Sequence, residues 1–232
     1  ERIDEVKPDA VLIPGDMTIK HLYADDPKVL RVLKLVDELK KKYPLYYANG
    51  NHEIRMFDQE KYTEELKRAG VIYLDNTYAD FSYKGDNDKH IRIYGLNLSL
   101  DHYRKRLNLD KSDLDTYLGK SPDDYCVLLA HDPGFAKIYA EWGADLSVCG
   151  HLHGGILRLP FVGGVIAPGF RIFPKYDGGI YNIDQHVIAV SRGLGTHHLK
   201  FRFFNPPELV FLHLKSVKKD KINGNTGKTR GV

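Results

Sequence analysis

Cysteine is scarce: the 232 residues contain two, Cys126 and Cys149. Two cannot make a disulfide framework, so the cysteine count gives no support to secretion. Both sit in apolar runs, where a free thiol packs as a small hydrophobe. Long hydrophobic runs are missing as well. No stretch approaches the roughly 18 consecutive apolar residues of a membrane span, and no charged-then-apolar leader is read. Nor is one sign of charge in large excess. Thirty-four basic against 31 acidic residues give +3, too little to suggest a nucleic-acid surface. The surplus lies at one end: residues 215–232 hold six basic residues and one acid, +5, leaving −2 for the rest. That stretch is rich in Gly, Asn, Lys and Thr without apolar periodicity, and reads as a solvated, flexible tail.

Core material is present. Hydrophobic residues make up 42% and charged residues 28%, which excludes disorder by composition. With no internal repeat or linker in view, the expectation is one soluble globular domain over 1–214 followed by the basic tail 215–232. Ala10–Pro14 is a short apolar run closed by Gly15-Asp16, the signature of a buried parallel strand. Pro27–Tyr43 repeats Val and Leu at spacings of three and four and reads as an amphipathic helix. Leu45–Ala48, Val71–Leu74, Tyr125–Ala130 and Leu146–Cys149 read as strands, with helices over about 58–69 and 134–141. Tyr78–Tyr83 and His90–Gly95 read as an antiparallel hairpin around Gly85-Asp86-Asn87-Asp88. Leu100–Leu118 reads as polar with some helix, and short strands are expected near Gly179–Ile183, Val187–Ser191 and Glu208–Leu214. Alternating β and α followed by strand-rich sequence argues a layered α/β domain. Glu1–Val6 resembles the end of a helix, so a strand is expected ahead of it, outside this sequence.

Four of the apolar strands run into residues that ligate metals. Asp16 follows the first, Asn51 and His52 the second, His131 the third, His151 and His153 the fourth. Ligands of open α/β sheets gather at the carboxyl ends of strands. Two divalent cations about 3.5–4 Å apart repel, and a shared carboxylate offsets that; Asp16 is the candidate bridge. Imidazoles and an amide oxygen complete such shells without over-neutralising them. His151 and His153, two apart, would face one side of an extended segment. His52 beside Asn51 is placed for general acid work. Singly, each motif has a plain alternative: Gly15-Asp16 as a turn, His131 as a satisfied structural histidine, the 50–53 run as a capped turn.

In order, Gly15-Asp16, Gly50-Asn51-His52-Glu53, His131 and Gly150-His151-Leu152-His153 resemble the calcineurin-like metallophosphoesterases. Arg158-Leu-Pro-Phe, Gly179-Ile-Tyr, Ser191–Gly195 and Arg202–Leu209 resemble one bacterial branch, the YkuE-like and YaeI-like phosphodiesterases. The resemblance implies a four-layer α/β/β/α sandwich and two divalent metal ions, Mn, Fe or Zn. It implies Asp16 as bridge, Asn51, His131 and His151 on one metal and His153 on the other. It further implies a metal-bound hydroxide attacking phosphorus in line, with His52 protonating the leaving oxygen. The family's Asp-x-His pair has no counterpart ahead of Asp16, Met17-Thr18-Ile19 replaces the usual Leu-Val-Asp, and Ile156 stands where the branch commonly has Gln.

Arg192 and Arg158 are the candidate substrate contacts, since guanidinium matches phosphate oxygens bidentately; Arg171, Lys175, His197 and His198 are weaker ones. Apolar residues at 159–166 and 170–173, read as loops, suit either core packing or the rim of a site for a lipid-linked phosphoester. The substrate expected is a small phosphoester, with no nucleic acid. Members of the branch often begin with a membrane anchor or export signal, so membrane association or export is expected where such a segment precedes, and a cytoplasmic location otherwise. The rival from another class is a catalytically silent member of the same fold acting as a binding module.

Overall fold

The computed structural model describes residues 2–82, 90–105, 107–155, 157–159, 163–167, 171–195 and 202–215. Helix α1 (Arg2–Val6) leads to β1 (Val11–Ile13), α2 (Pro27–Lys40), β2 (Leu45–Tyr47), α3 (Gln59–Arg68) and β3 (Ile72–Tyr73). These strands make a parallel sheet in the order β1-β2-β3. Next come β4 (Thr77–Ser82), β5 (His90–Leu96), α4 (Leu100–Arg104), α5 (Lys111–Leu118), β6 (Tyr125–Ala130), α6 (Ala136–Trp142) and β7 (Leu146–Cys149). After β8 (Leu157–Leu159), β9 (Gly163–Ala167) and β10 (Arg171–Ile172), the last regular elements among the described residues are β11 (Gly179–Ile183) and β12 (His186–Val190). The larger sheet has six strands in the order β11-β12-β7-β6-β5-β4, parallel at its centre and antiparallel at both edges.

Side-chain alternation explains the layering, because successive residues of a strand face opposite sides. Leu45 and Tyr47 of β2 pack under α2 and α3 with Val29, Val36, Tyr62 and Leu66. Tyr46 and Ala48 point the other way, into a core shared with Val127 and Leu129 of β6 and Val187 and Ala189 of β12. Cys126, Leu128 and Ala130 face α5 and α6, meeting Leu114, Tyr139 and Trp142. Three apolar layers therefore lie between four layers of secondary structure. This is the α/β/β/α sandwich. Both cysteines are buried thiols outside any disulfide, and no helix among the described residues is long and apolar enough to cross a membrane.

The helix starts follow their caps. Asp26 accepts from the Lys28 amide ahead of Pro27, and Asp110 forms a capping box with Asp113. Two sequence expectations are corrected. The 159–173 region is not all loop: β8, β9 and β10 form a small antiparallel sheet, built from strands too short and glycine-rich to show period-two alternation. Glu208–Leu214 is not a strand. Its apolar residues run irregularly, Glu208 turning its carboxylate and amide toward Arg192 and Gly193. The hairpin turn at 85–88, Ile156, His197, His198 and the tail from 216 lie outside the described residues.

Candidate metal centre

The loops after β1 and β2 meet almost without side chains between them. A Cβ on Gly15 would lie 2.1 Å from the Gly50 nitrogen, and one on Gly50 would lie 2.2 Å from Asp16 Oδ1. Only hydrogen fits at either position, and Gly15 has a φ of +93° besides. Asp16 follows with a left-handed φ of 55°, a conformation that costs a non-glycine residue about 1–3 kcal/mol and needs outside support.

Glu53 supplies that support. Its carboxylate is fully buried and accepts from the backbone amides of Asp16 (2.8 Å), Gly50 (2.9 Å) and Thr18 (3.3 Å), and from the Tyr47 hydroxyl (2.8 Å). Burial and the neighbouring Asp16 charge push its carboxyl upward, while the four donors offset the cost of burying it. In the sequence Glu53 is only the last residue of the Gly50–Glu53 run, and the signal for its role is an acid beside a ligand cluster. Glu53→Ala should destabilise the protein by about 3 kcal/mol, since it leaves several buried donors without an acceptor. Urea denaturation measures this, and a loss under about 1 kcal/mol would contradict the clamp.

Asp16 points at histidines from both sheets. The His52 amide donates to Oδ1 at 2.8 Å, and His52 Nε2 lies 3.9 Å from Oδ2. His52 Nδ1 is 3.1 Å from the Thr18 carbonyl; a carbonyl only accepts, so Nδ1 carries the proton and Nε2 faces inward. His131, at the end of β6, donates from Nδ1 to the Pro14 carbonyl at 2.7 Å, and its Nε2 stands 3.0 Å from Asp16 Oδ2. Burial works against the imidazolium, but the Asp16 charge and hydrogen bond, with the Pro14 carbonyl, raise His131 to about 9. Burial likewise opposes the Asp16 carboxylate; His131 and His52 outweigh it and hold that group well below the usual range.

His151 completes the cluster. Ligand atoms of Asp16, His131 and His151 all lie within 4.8 Å of one another. The His131 and His151 rings meet edge to face at 5.0 Å, and Tyr103 of α4 packs on both, 6.1 and 5.6 Å away. His151 Nε2 is 3.9 Å from the buried Asp132 carboxylate, within ion-pair range. Asn51 is buried on the adjoining loop with no hydrogen-bond partner for its Oδ1. A buried amide oxygen left in this way is an available donor atom. Oxygen and imidazole donors of this kind suit a divalent transition metal, so the residues present fit such an ion.

Other candidates lie outside this three-residue group. His153 is not in the three-residue group. The expectation that it shares a side with His151 assumed an extended segment, but 151–154 is a turn in which both histidines have positive φ, 67° and 52°. Arg192 is ion-paired with Glu208, and Arg158 donates to Asp177 at 2.7 Å and to the Gly154 carbonyl at 3.3 Å. Both arginines thus have carboxylate partners; Arg158 also braces the 150–155 loop through the Gly154 carbonyl, and Asn205 reaches the carbonyls of His153 and Gly155. Asp132 and Tyr103 escaped sequence reading: one is an acid beside a histidine, the other a tyrosine in a polar stretch.

Residues 1–155 match the family model described as calcineurin-like phosphoesterase. The chain belongs to that family. Family membership implies a phosphoester hydrolase that binds divalent metal, and this metallophosphoesterase chain gathers Asp16, His131 and His151 accordingly. It is 29% identical over 220 residues to the uncharacterized metallophosphoesterase YkuE of Bacillus subtilis, covering 93% of this chain and 71% of that protein. It is 26% identical over 212 residues to the phosphodiesterase YaeI of Escherichia coli, covering 90% and 72%. A zebrafish transmembrane protein with a metallophosphoesterase domain is 26% identical over 223 residues, and there the chain spans about half of the relative's length, 48%.

Proposed function

We propose that this metallophosphoesterase chain hydrolyses phosphoric esters at a dinuclear centre. The convergence of Asp16, His131 and His151 at strand ends of two sheets carries that reading. Asp16 with Asn51, His131 and His151 would hold one cation, and Asp16 with His153 would hold the second. Divalent ions held there, Mn, Fe or Zn, would polarise the phosphoryl oxygens and acidify a water molecule. The chain's own groups do the rest. Asp16 is fixed by the His52 amide and, through Glu53, by its own amide. The His52 ring is fixed through its Nδ1 proton, so that a second proton, taken up on Nε2, would be presented to the leaving oxygen.

The substrate in this reading is a small, lipid-linked phosphoester. A cleft of about 730 Å³ adjoins the loop braced by Arg158, lined among others by Leu159, Phe173, Lys175 and Phe204. Phe173 and Phe204 are exposed there, offering apolar contact for an acyl chain. The test is metal content and turnover of the full-length protein. About two equivalents of Mn²⁺ per chain, with hydrolysis of a chromogenic phosphodiester, is the expected result. One equivalent or less with no hydrolysis would favour the silent binding module instead. Faster turnover of an acylated phosphoester than of its deacylated counterpart would support the lipid-linked substrate.

A further inference from the structure

The β8–β10 sheet and the segment 202–204 that lies against it carry apolar side chains outward. Ile172 is 70% exposed, Phe173 61% and Phe204 62%, and Leu159 and Phe203 are exposed with them. They form one patch. Leu159, Phe173 and Phe204 line the same cleft, Ile172 ends β10 just before Phe173, and the Phe203 ring meets Phe204 edge to face at 4.6 Å. The Arg158 amide donates to the Phe203 carbonyl at 3.3 Å, which ties this segment to β8. Phe173 and Phe204 also have left-handed backbones, with φ of 49° and 51°. For a bulky side chain that conformation is an outlier, and ring burial does not offset it here. Aromatic rings held outward at a conformational cost mark a contact surface.

The charge of the chain is divided to match. Residues 156–232 hold twelve basic and four acidic residues, +8, which leaves −5 for residues 1–155. Two of those four acids are already answered, Asp177 by Arg158 and Glu208 by Arg192. Lys175 lines the cleft with Phe173 and is exposed. Apolar groups beside cations, on the basic part of an otherwise acidic chain, fit an anionic bilayer. Such a surface takes aromatic and aliphatic side chains into its headgroup boundary and attracts Lys and Arg. Nucleic acid would use the cations and the rings but leave Leu159 and Ile172 unmatched.

We propose that the β8–β10 face, with Leu159, Ile172, Phe173, Phe203 and Phe204, is a docking surface for an anionic lipid bilayer, Lys175 and the basic stretch 215–232 supplying the attraction. Arg158 lines the same cleft and donates to the Gly154 carbonyl, so the surface abuts the loop that carries His151. A docked chain would meet a lipid-linked ester at the edge of the bilayer. That use rests on the phosphoesterase reading; the docking itself does not.

Sedimentation of the full chain with large vesicles tests it, using phosphatidylcholine alone and equal parts of phosphatidylcholine and phosphatidylglycerol. Wild type should bind the mixed vesicles, bind phosphatidylcholine at least about tenfold more weakly, and lose affinity as salt screens the surface charge. Phe173→Gly and Phe204→Gly suit the left-handed backbone, and each should weaken binding about tenfold through lost apolar contact. Lys175→Glu should cost about fivefold or more. Leu30→Ser, at a half-exposed position on α2, should change nothing. Absence of binding to the mixed vesicles overturns the surface. So does wild-type affinity in the Phe173→Gly/Phe204→Gly double variant, which would leave the attraction to residues 215–232 alone. Should a glycine variant fail to fold, wild-type affinity in Lys175→Glu overturns the surface by itself. Capture of a single-stranded oligonucleotide in place of vesicles would assign the charge to nucleic acid and overturn the bilayer. Metal-stripped protein should bind vesicles as well as the loaded protein does, so docking without hydrolysis would sink the phosphoesterase reading and leave the surface standing.

Discussion

Asp16→Asn should lose metal and hydrolysis together while the protein remains folded. The amide is nearly isosteric and can still accept the His52 amide hydrogen, so the loop keeps its anchor. What disappears is the negative charge that His131 and the proposed cations share. Loss of an oriented partner of a ligand typically costs 10–100-fold in metal affinity, and loss of a shared ligand should cost at least about 100-fold. The pH behaviour of metal-stripped protein provides a second readout. His131 is raised from 6.5 to about 9, so its contribution to stability is complete below 6.5 and is lost as pH climbs through about 9. Asp16 is depressed from 3.8, so its contribution is present above 3.8 and is lost as pH falls below it. Stripped wild type should thus be most stable between those ordinary values, and its decline toward pH 9 should flatten in Asp16→Asn. Cation uptake must displace the His131 proton, so wild-type affinity should rise with pH toward about 9. Calorimetry and thermal denaturation at pH 6.5 and 9 measure both effects; unchanged metal content in the variant would remove Asp16 as the shared ligand.

His52→Ala should leave metal content intact and reduce kcat by roughly 10²–10⁴, the usual yield of a positioned proton donor. The contact from residue 52 to Asp16 Oδ1 is made by the backbone amide, which alanine keeps. The deficit should also depend on the ester. A leaving group that departs readily as an anion needs little protonation, so the variant should approach wild type on activated aryl esters and fall furthest behind on alkyl ones. An equal deficit on both would mean the ring positions the phosphoryl group and does not supply the proton.

The layers were legible because alternation is a local property. Residues 45–48 and 126–130 are apolar on both faces and end at candidate ligands, which marks central strands and places the site. Long-range partners were not legible. Nothing local tells Arg192 that Glu208 lies beside it, or Arg158 that Asp177 does; both pairings depend on how β8–β12 fold back. The same limit hid Glu53, whose three amide donors come from loops up to 37 positions away. The left-handed conformations of His151 and His153 also had no local signal, because the neighbouring glycines suggested that flexibility there belonged to them. Glu208–Leu214 misled in the opposite sense: a mostly apolar run, Leu-Val-Phe-Leu at its centre, reads as strand without a ladder to join.

The ligand candidates divide between the two halves of the sandwich. Asp16 and Asn51 ride on the β1–β3 sheet, His131 and His151 on the six-stranded one, and direct hydrogen bonding across that seam includes His131 to Pro14. A cation seated among them would therefore act as a rivet through the middle of the molecule. Chelation would then do more than silence chemistry: it would let the two leaves part at one end, making the apo protein softer along that join than anywhere within either leaf.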